Sequence, residues 1–294
     1  MRSHRSKPKP SSSLRFEAIG TAWQLDTAEP MPEHVAAAIH SRIESYDLTW
    51  SRFRPDSLVS RVATTRGIHR FPDDAAPLFA LYRKLYDATG GKVSPLVGGA
   101  LETLGYDSGY SLRATGDVAV VPRWEDSIAW DGRALSTVHP VTIDVGAAGK
   151  GYLADLVAEI LAASGIPDYT VDASGDIVHS GAPIRVALEH PLDTSKAIGV
   201  VDLGAGALCA SAANRRAWGD GMHHILDATT GHPTAGVLAT WTIAETGLVA
   251  DGLATALFVA DAKTLAESFE FEYVLMFSDG RVESSPGLDG EVFR

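Results

Sequence analysis

The chain has 294 residues, 45% of them hydrophobic and 21% charged, with a formal net charge of −12. This is the composition of a globular protein with one large or two modest domains, and its acidity argues against general affinity for nucleic acid or anionic membranes, which require clustered cations. A single cysteine, Cys209, excludes an intrachain disulfide and a cysteine-based zinc cluster, and no run reaches the roughly 18 apolar residues of a membrane span.

Residues 1–13, MRSHRSKPKPSSS, are basic and rich in Pro and Ser, and no apolar stretch behind them makes a secretory signal. They are expected to be a disordered tail ahead of one domain over 14–294, divisible into two sub-lobes, in a cytoplasmic protein. Leu14–Leu25 alternates around Ile19-Gly20-Thr21 and reads as a strand with a glycine where something passes close. Ile39, Ile43, Tyr46 and Trp50 repeat at helical spacing, so His34–Trp50 is an amphipathic helix. SRFRPDSLVSRV at 51–62 is a loop or helix entry, with Asp56 or Ser57 as the cap. A second helix opens near Asp73, carries Leu78, Leu81, Tyr82 and Leu85, and stops at Thr89-Gly90-Gly91. Val93–Trp130, which contains DVAVV and SIAW, suggests short strands and turns.

Val141–Gly165 is the stretch around which the rest is organised. Val141, Ile143 and Val145 alternate with Thr142 and Asp144, as in a half-buried strand, and Leu153, Leu156, Val157, Ile160 and Leu161 then form one helical stripe ending at Gly165. Between them, Gly146-Ala147-Ala148-Gly149-Lys150-Gly151 offers small residues and unpaired helix N–H groups to an anion such as phosphate. It is not a P-loop, because two residues rather than four precede the Gly-Lys pair and Gly151 follows it. The same residues would also serve as a tight strand-to-helix turn with an exposed lysine.

Farther on, Tyr169–Ser180 is a strand interrupted at Gly175-Asp176, either by a bulge that aims a carboxylate or by a turn. Further strands follow from Ile184 to Cys209. In HHILDATTGHP, His223 and His224 point to opposite faces of a strand, so at most one is aimed inward. The last long helix, Glu245–Ala260, places Asp251 and Thr255 one turn apart. They are either oxygen ligands for a hard cation such as Mg²⁺ or a solvated polar pair beside the core stripe. YVLMFSDGRVE closes the chain as a hairpin turning at Asp279-Gly280.

Taken together, IGT at 19–21, SRFRPDSLVSRV at 51–62, TGG at 89–91, DVGAAGKGYLAD at 144–155, ASGDI at 173–177, HILDATTGHP at 224–233 and ADGLATALFV at 250–259 resemble the ApbE family of FAD:protein FMN transferases. The resemblance implies an α+β, T-fold-related architecture of mixed sheets with flanking helices around a central cleft. It also implies Mg²⁺-dependent transfer of FMN from FAD to a Ser or Thr hydroxyl of a target flavoprotein, with release of AMP. By that resemblance Asp251, Thr255 and the Ala147 carbonyl hold the metal, and His224 and Asp251 serve catalysis. Ile19, Phe53, Leu104, Gly105, Tyr106, Asp144 and Lys150 contact FAD. Ser94, Ser174, Ala212 and Ala228 stand where the family usually has Asp, Gly, Gly and Pro. An FAD pyrophosphatase releasing free FMN and AMP, or a flavin-binding protein without chemistry, are the competing expectations.

Overall fold

The computed structural model describes residues 12–117, 120–219 and 221–293. Most of the expected tail, and part of the DVAVV segment, lie outside them. The opening alternation is a hairpin rather than one strand. β1 (Ser12–Ala18) and β2 (Thr21–Thr27) pair antiparallel and reverse at Ile19-Gly20, both at positive φ (46° and 75°). β1 therefore begins inside the segment expected to be a tail.

Helix α1 (Glu33–Trp50) buries Ile39, Tyr46 and Trp50 of the stripe its spacing predicts, together with Val35, and leaves Ile43 half-buried against the core. In α2 (Leu58–Thr64) the Ser57 hydroxyl accepts the Ser60 N–H at 3.1 Å, which makes Ser57 the cap. β3 (Gly67–Arg70) and α3 (Ala76–Ala88) follow. Where short strands were expected, the chain forms α4 (Gly98–Thr103) and α5 (Trp124–Ser127), and only SIAW supplies a strand, β4 (Ile128–Trp130), which β5 (Ala134–Thr137) follows. The reason lies in spacing: Val97, Leu101 and Leu104 share a helical face and pack with Tyr106, Trp218 and Leu226.

Val141–Val145 is the second departure. Val141, Ile143 and Val145 are buried as the alternation predicts, yet the segment joins no sheet. Its Val141 N–H donates to the Val62 carbonyl (3.3 Å) and its Asp144 N–H to the Pro95 carbonyl (2.8 Å). Period two reports which side chains are buried, not whether a neighbouring strand exists.

After α6 (Gly149–Ala163) come β6 (Tyr169–Asp172), β7 (Ile177–Ser180), β8 (Ile184–Glu189), β9 (Ala197–Leu203) and β10 (Gly206–Ala212). Four short strands follow, β11 (Ala217–Trp218), β12 (Met222–His223), β13 (Leu226–Asp227) and β14 (His232–Pro233). The chain ends with β15 (Val237–Ala244), α7 (Gly247–Ala256), α8 (Ala262–Ala266), β16 (Glu272–Phe277), β17 (Val282–Ser284) and β18 (Gly290–Val292). An eight-stranded antiparallel sheet runs β1-β2-β6-β7-β10-β15-β16-β17, and a smaller sheet runs β18-β9-β8.

Alternation along β10 separates two cores. Ala207 and Cys209 join the large core with α6 and α7, while Leu208 joins Leu188, Val201 and Trp241 against the smaller sheet. Burying each such Leu contributes about 1.5–3 kcal/mol. On the helix side, Thr240 and Thr242 of β15 donate their hydroxyls to the carbonyls of Ala254 (2.6 Å) and Ala250 (2.5 Å), fixing α7 on the sheet. Among the described residues no helix is long and apolar enough to cross a membrane.

Candidate active site

The site begins where α6 crosses α7. Gly151 and Gly247 let the two backbones touch: a Cβ on Gly151 would lie inside the Gly247 carbonyl and 2.7 Å from the Asp251 Cβ. Asp155, one turn along α6, accepts the Gly247 and Leu248 N–H groups at 2.7 and 2.8 Å, capping α7 from its neighbour. Burial is the largest influence on that carboxyl and lifts it to about 6 against the pull of the two N–H groups.

With the helices locked in this way, Asp251 reaches back to accept the Gly151 N–H at 2.9 Å, and the Thr255 hydroxyl donates to the Ala147 carbonyl at 3.2 Å. Asp176 comes from the β6–β7 turn, so Gly175-Asp176 is a turn that nevertheless aims a carboxylate inward. Its side chain is fully buried and ion-paired with Lys150. Burial and then the Asp176 charge push the Asp251 carboxyl upward, with Lys150 opposing. Burial alone would lower Lys150, but Asp176 and Asp251 outweigh it and hold the ammonium above its ordinary range. Two carboxylates against one lysine leave this pocket short of positive charge.

A cleft of about 1300 Å³ runs from this cluster to an aromatic wall. At mid-cleft Arg52 donates to Asp144 at 2.6 Å and to the Tyr106 carbonyl at 2.8 Å. Burial raises Asp144, yet Arg52 and the Gly146 N–H together hold its carboxyl below the usual range. Phe53 stacks on Tyr110 (5.2 Å between ring centroids), and Tyr106 stacks on Trp218 (5.7 Å). His223 turns away: its Nε2 donates to the Thr234 carbonyl (2.9 Å), while its Nδ1 accepts the Ile225 N–H (3.3 Å). His224 lines the cleft with an Nδ1 that has no hydrogen-bond partner. Burial first, then the Arg216 and His223 charges, push its imidazole down to about 4, with Asp144 opposing.

The structure thus brings Ile19, Phe53, Tyr106, Asp144, Ala147, Lys150, His224, Asp251 and Thr255 to one cleft. Ile19 does so at φ 46°, a conformation unfavourable for a β-branched residue. Leu104 and Gly105 do not line it. The Leu104 carbonyl accepts the Trp218 indole N–H (3.0 Å), and Gly105, at φ 99°, packs on the Arg113 backbone. Both therefore stand behind Tyr106. Sequence reasoning marked Asp176 as a carboxylate that could be aimed inward but did not single out Arg52, Arg216 or Trp218. Arg52 sits inside a motif already quoted, whereas ANRRAWGDG carries no periodicity or chemistry that would mark the others.

Antiparallel sheets, a glycine helix crossing and a cleft of charged side chains with an aromatic wall define an α+β protein. The ApbE family model matches residues 19–275, and the chain belongs to that family. It is 27% identical to the FAD:protein FMN transferase of Rhodobacter capsulatus over 96% of this chain, although it spans only 58% of that protein's length. It is 25% identical to the Klebsiella pneumoniae protein of the same name, over 84% of this chain and 77% of that one. The crystal structure of the ApbE protein from Thermotoga maritima superposes with a TM-score of 0.82 at 25% identity, covering 94% of this chain and 97% of that one. The flavin transferase ApbE from Vibrio cholerae gives 0.79 at 22% identity over 94% and 98%, which speaks to fold alone.

Proposed function

We propose that the chain transfers FMN from FAD to a Ser or Thr hydroxyl of a target flavoprotein and releases AMP. The names of its relatives support flavin transfer. The observation that carries the reading is that the His224 imidazole lines the same cleft as the Lys150, Asp251, Thr255 and Ala147 cluster.

In this reading the acceptor hydroxyl attacks the FMN-side phosphorus, and a new P–O bond forms. The bond from that phosphorus to the bridging oxygen breaks, AMP leaves with the electron pair, and His224 takes the hydroxyl proton. His224 is neutral at physiological pH, and the negative charge of an incoming pyrophosphate raises its proton affinity toward the useful range. Lys150 holds phosphate charge. Asp144, anchored by Arg52, and the Phe53–Tyr106 wall orient the flavin half.

Asp251, Thr255 and the Ala147 carbonyl would hold Mg²⁺. A carboxylate, a hydroxyl and a carbonyl are hard oxygen donors, and the excess of buried carboxylate beside them calls for a cation. Among the described residues no three His, Cys, Asp or Glu side chains gather to make a different metal site. When bound, the ion supplies charge neutralisation on the non-bridging phosphate oxygens.

The test is incubation with FAD, Mg²⁺ and flavoproteins of the same cell, reading AMP release and acceptor mass. The expected result is AMP together with an acceptor heavier by one FMN. Asp251→Ala is expected to lower the rate on the order of a hundredfold. AMP with free FMN would make the chain a pyrophosphatase, and intact bound FAD after long incubation would make it a flavin-binding protein.

A further inference from the structure

Five cationic side chains line the cleft: Arg52, Lys92, Lys150, Arg215 and Arg216. Four are already engaged. Arg52 pairs with Asp144, Lys150 with Asp176 and Arg215 with Glu189, and Lys92 donates to the Val259 carbonyl at 3.1 Å. Arg216 has no carboxylate partner among the described residues. Its guanidinium makes one hydrogen bond, from Nη1 to the Tyr106 hydroxyl at 2.9 Å.

That single bond aims the arginine. Tyr106 is 4% exposed and lies nearly parallel to Trp218 (16° between ring planes), and the Trp218 indole is tied to the Leu104 carbonyl. The phenol is therefore a fixed post on which an otherwise exposed side chain is steered. Pairing of Ala217 with His223 across the β11–β12 hairpin puts Arg216 and His224 side by side at its mouth. Both face one ring: the guanidinium carbon is 6.0 Å and the imidazole centroid 6.4 Å from the centre of Tyr106. A planar fork of donors, uncommitted to any carboxylate and held beside the candidate base, suits two oxygens of a phosphate.

We propose that Arg216 binds a phosphate of the flavin nucleotide and places it beside His224. This rests on the flavin-transfer reading above and extends it to a residue on the hairpin, away from the α6–α7 cluster. One electrical consequence follows. The Arg216, His223 and Asp144 charges and a main-chain hydrogen bond with Arg216 act on His224 beside the Tyr106 ring, and Arg216 is the strongest charge holding the imidazole deprotonated. Losing it raises the proton affinity of His224.

The experiment measures binding of FAD, FMN and riboflavin to the full chain, wild type against Arg216→Ala and Arg216→Lys. Because the side chain is exposed, the alanine variant is expected to unfold at the wild-type temperature. Its affinity for FAD and FMN should fall about ten- to hundredfold, while riboflavin, which has no phosphate, binds within about twofold of wild type. Lysine should restore part of the loss, since it keeps the charge without the fork. By NMR, the His224 titration in the free protein should move up from about 4 in Arg216→Ala. Unchanged FMN affinity, or an equal loss for riboflavin, would overturn the Arg216 assignment alone. No FAD binding by the wild-type chain would overturn the flavin reading and this inference with it.

Discussion

The two ends of the cleft are built in opposite ways. At the α6–α7 end, Lys150, Asp176 and Asp251 are held by a helix crossing, two caps and a sheet turn, and Asp176 and Asp251 are nearly or fully buried. At the hairpin end, Arg216 is exposed and hangs on one phenol, and β11 and β12 are two residues each. Charge at the first end is mostly paired inside the protein, Lys150 with Asp176, with one carboxylate in excess, and disturbing it should cost folding. Charge at the second end is left open, so disturbing it should cost binding.

The largest break in this contrast is Lys150→Met. Removing the lysine leaves Asp176 and Asp251 facing each other without their cation, and about 3–5 kcal/mol of stability should go with it. Urea unfolding checks this, and Lys150→Met combined with Asp176→Asn should regain much of the loss, because the two share one interaction. A double mutant as unstable as the sum of the singles would mean that the pair is not coupled. Next in size is Gly151→Ala. The added methyl has no room beneath the Gly247 carbonyl, so α6 and α7 must separate, at about 1–3 kcal/mol. Thr255 and Asp251 should then lose their bonds to Ala147 and Gly151, and flavin transfer should fall further than stability does. Wild-type transfer by this variant would show that the crossing sets stability alone.

The same contrast explains what could be read from the sequence. At the α6–α7 end each partner carries its own local mark, in the helical stripes, the DVGAAGKG turn and the Asp251/Thr255 spacing, and the structure brings Thr255 to Ala147, 108 residues away, as the family resemblance implies. Helices α1, α3 and α6 were legible for the same reason. The hairpin end joins residues 104–110 to 216–224, and nothing in either segment announces the other. Leu104 and Gly105 were accordingly expected in the cleft, when their work is to support Trp218 and Tyr106 from behind. Arg52 went unnoticed because its carboxylate partner, Asp144, lies 92 residues away. Strand pairing failed in the same manner at Val141–Val145, where burial alternates but no ladder forms.

The smallest effect sharpens the comparison through pH, because Asp155 and His224 titrate in opposite senses. Asp155, behind the helix crossing, has a folded pKa of about 6, above an unfolded value of about 3.9. Its stabilising contribution is therefore fully present below about pH 4 and is lost as pH rises through 6. His224, with a folded pKa of about 4, lies below its unfolded value of about 6.5, so folding is favoured at higher pH and weakens as pH falls from 6.5 toward 4. Between pH 4 and 6 the two nearly cancel in the wild-type chain. Asp155→Asn removes one side of that balance and one cap acceptor, at a cost of about 1 kcal/mol. Measured by denaturant midpoint, this cost should be largest at pH 4 and shrink toward pH 7. A cost that grows with pH would mean that the Gly247 and Leu248 N–H groups, reinforced by the α7 dipole, outweigh burial and hold the carboxylate ionised. The α6–α7 end would then draw its rigidity from a charged cap rather than from close packing.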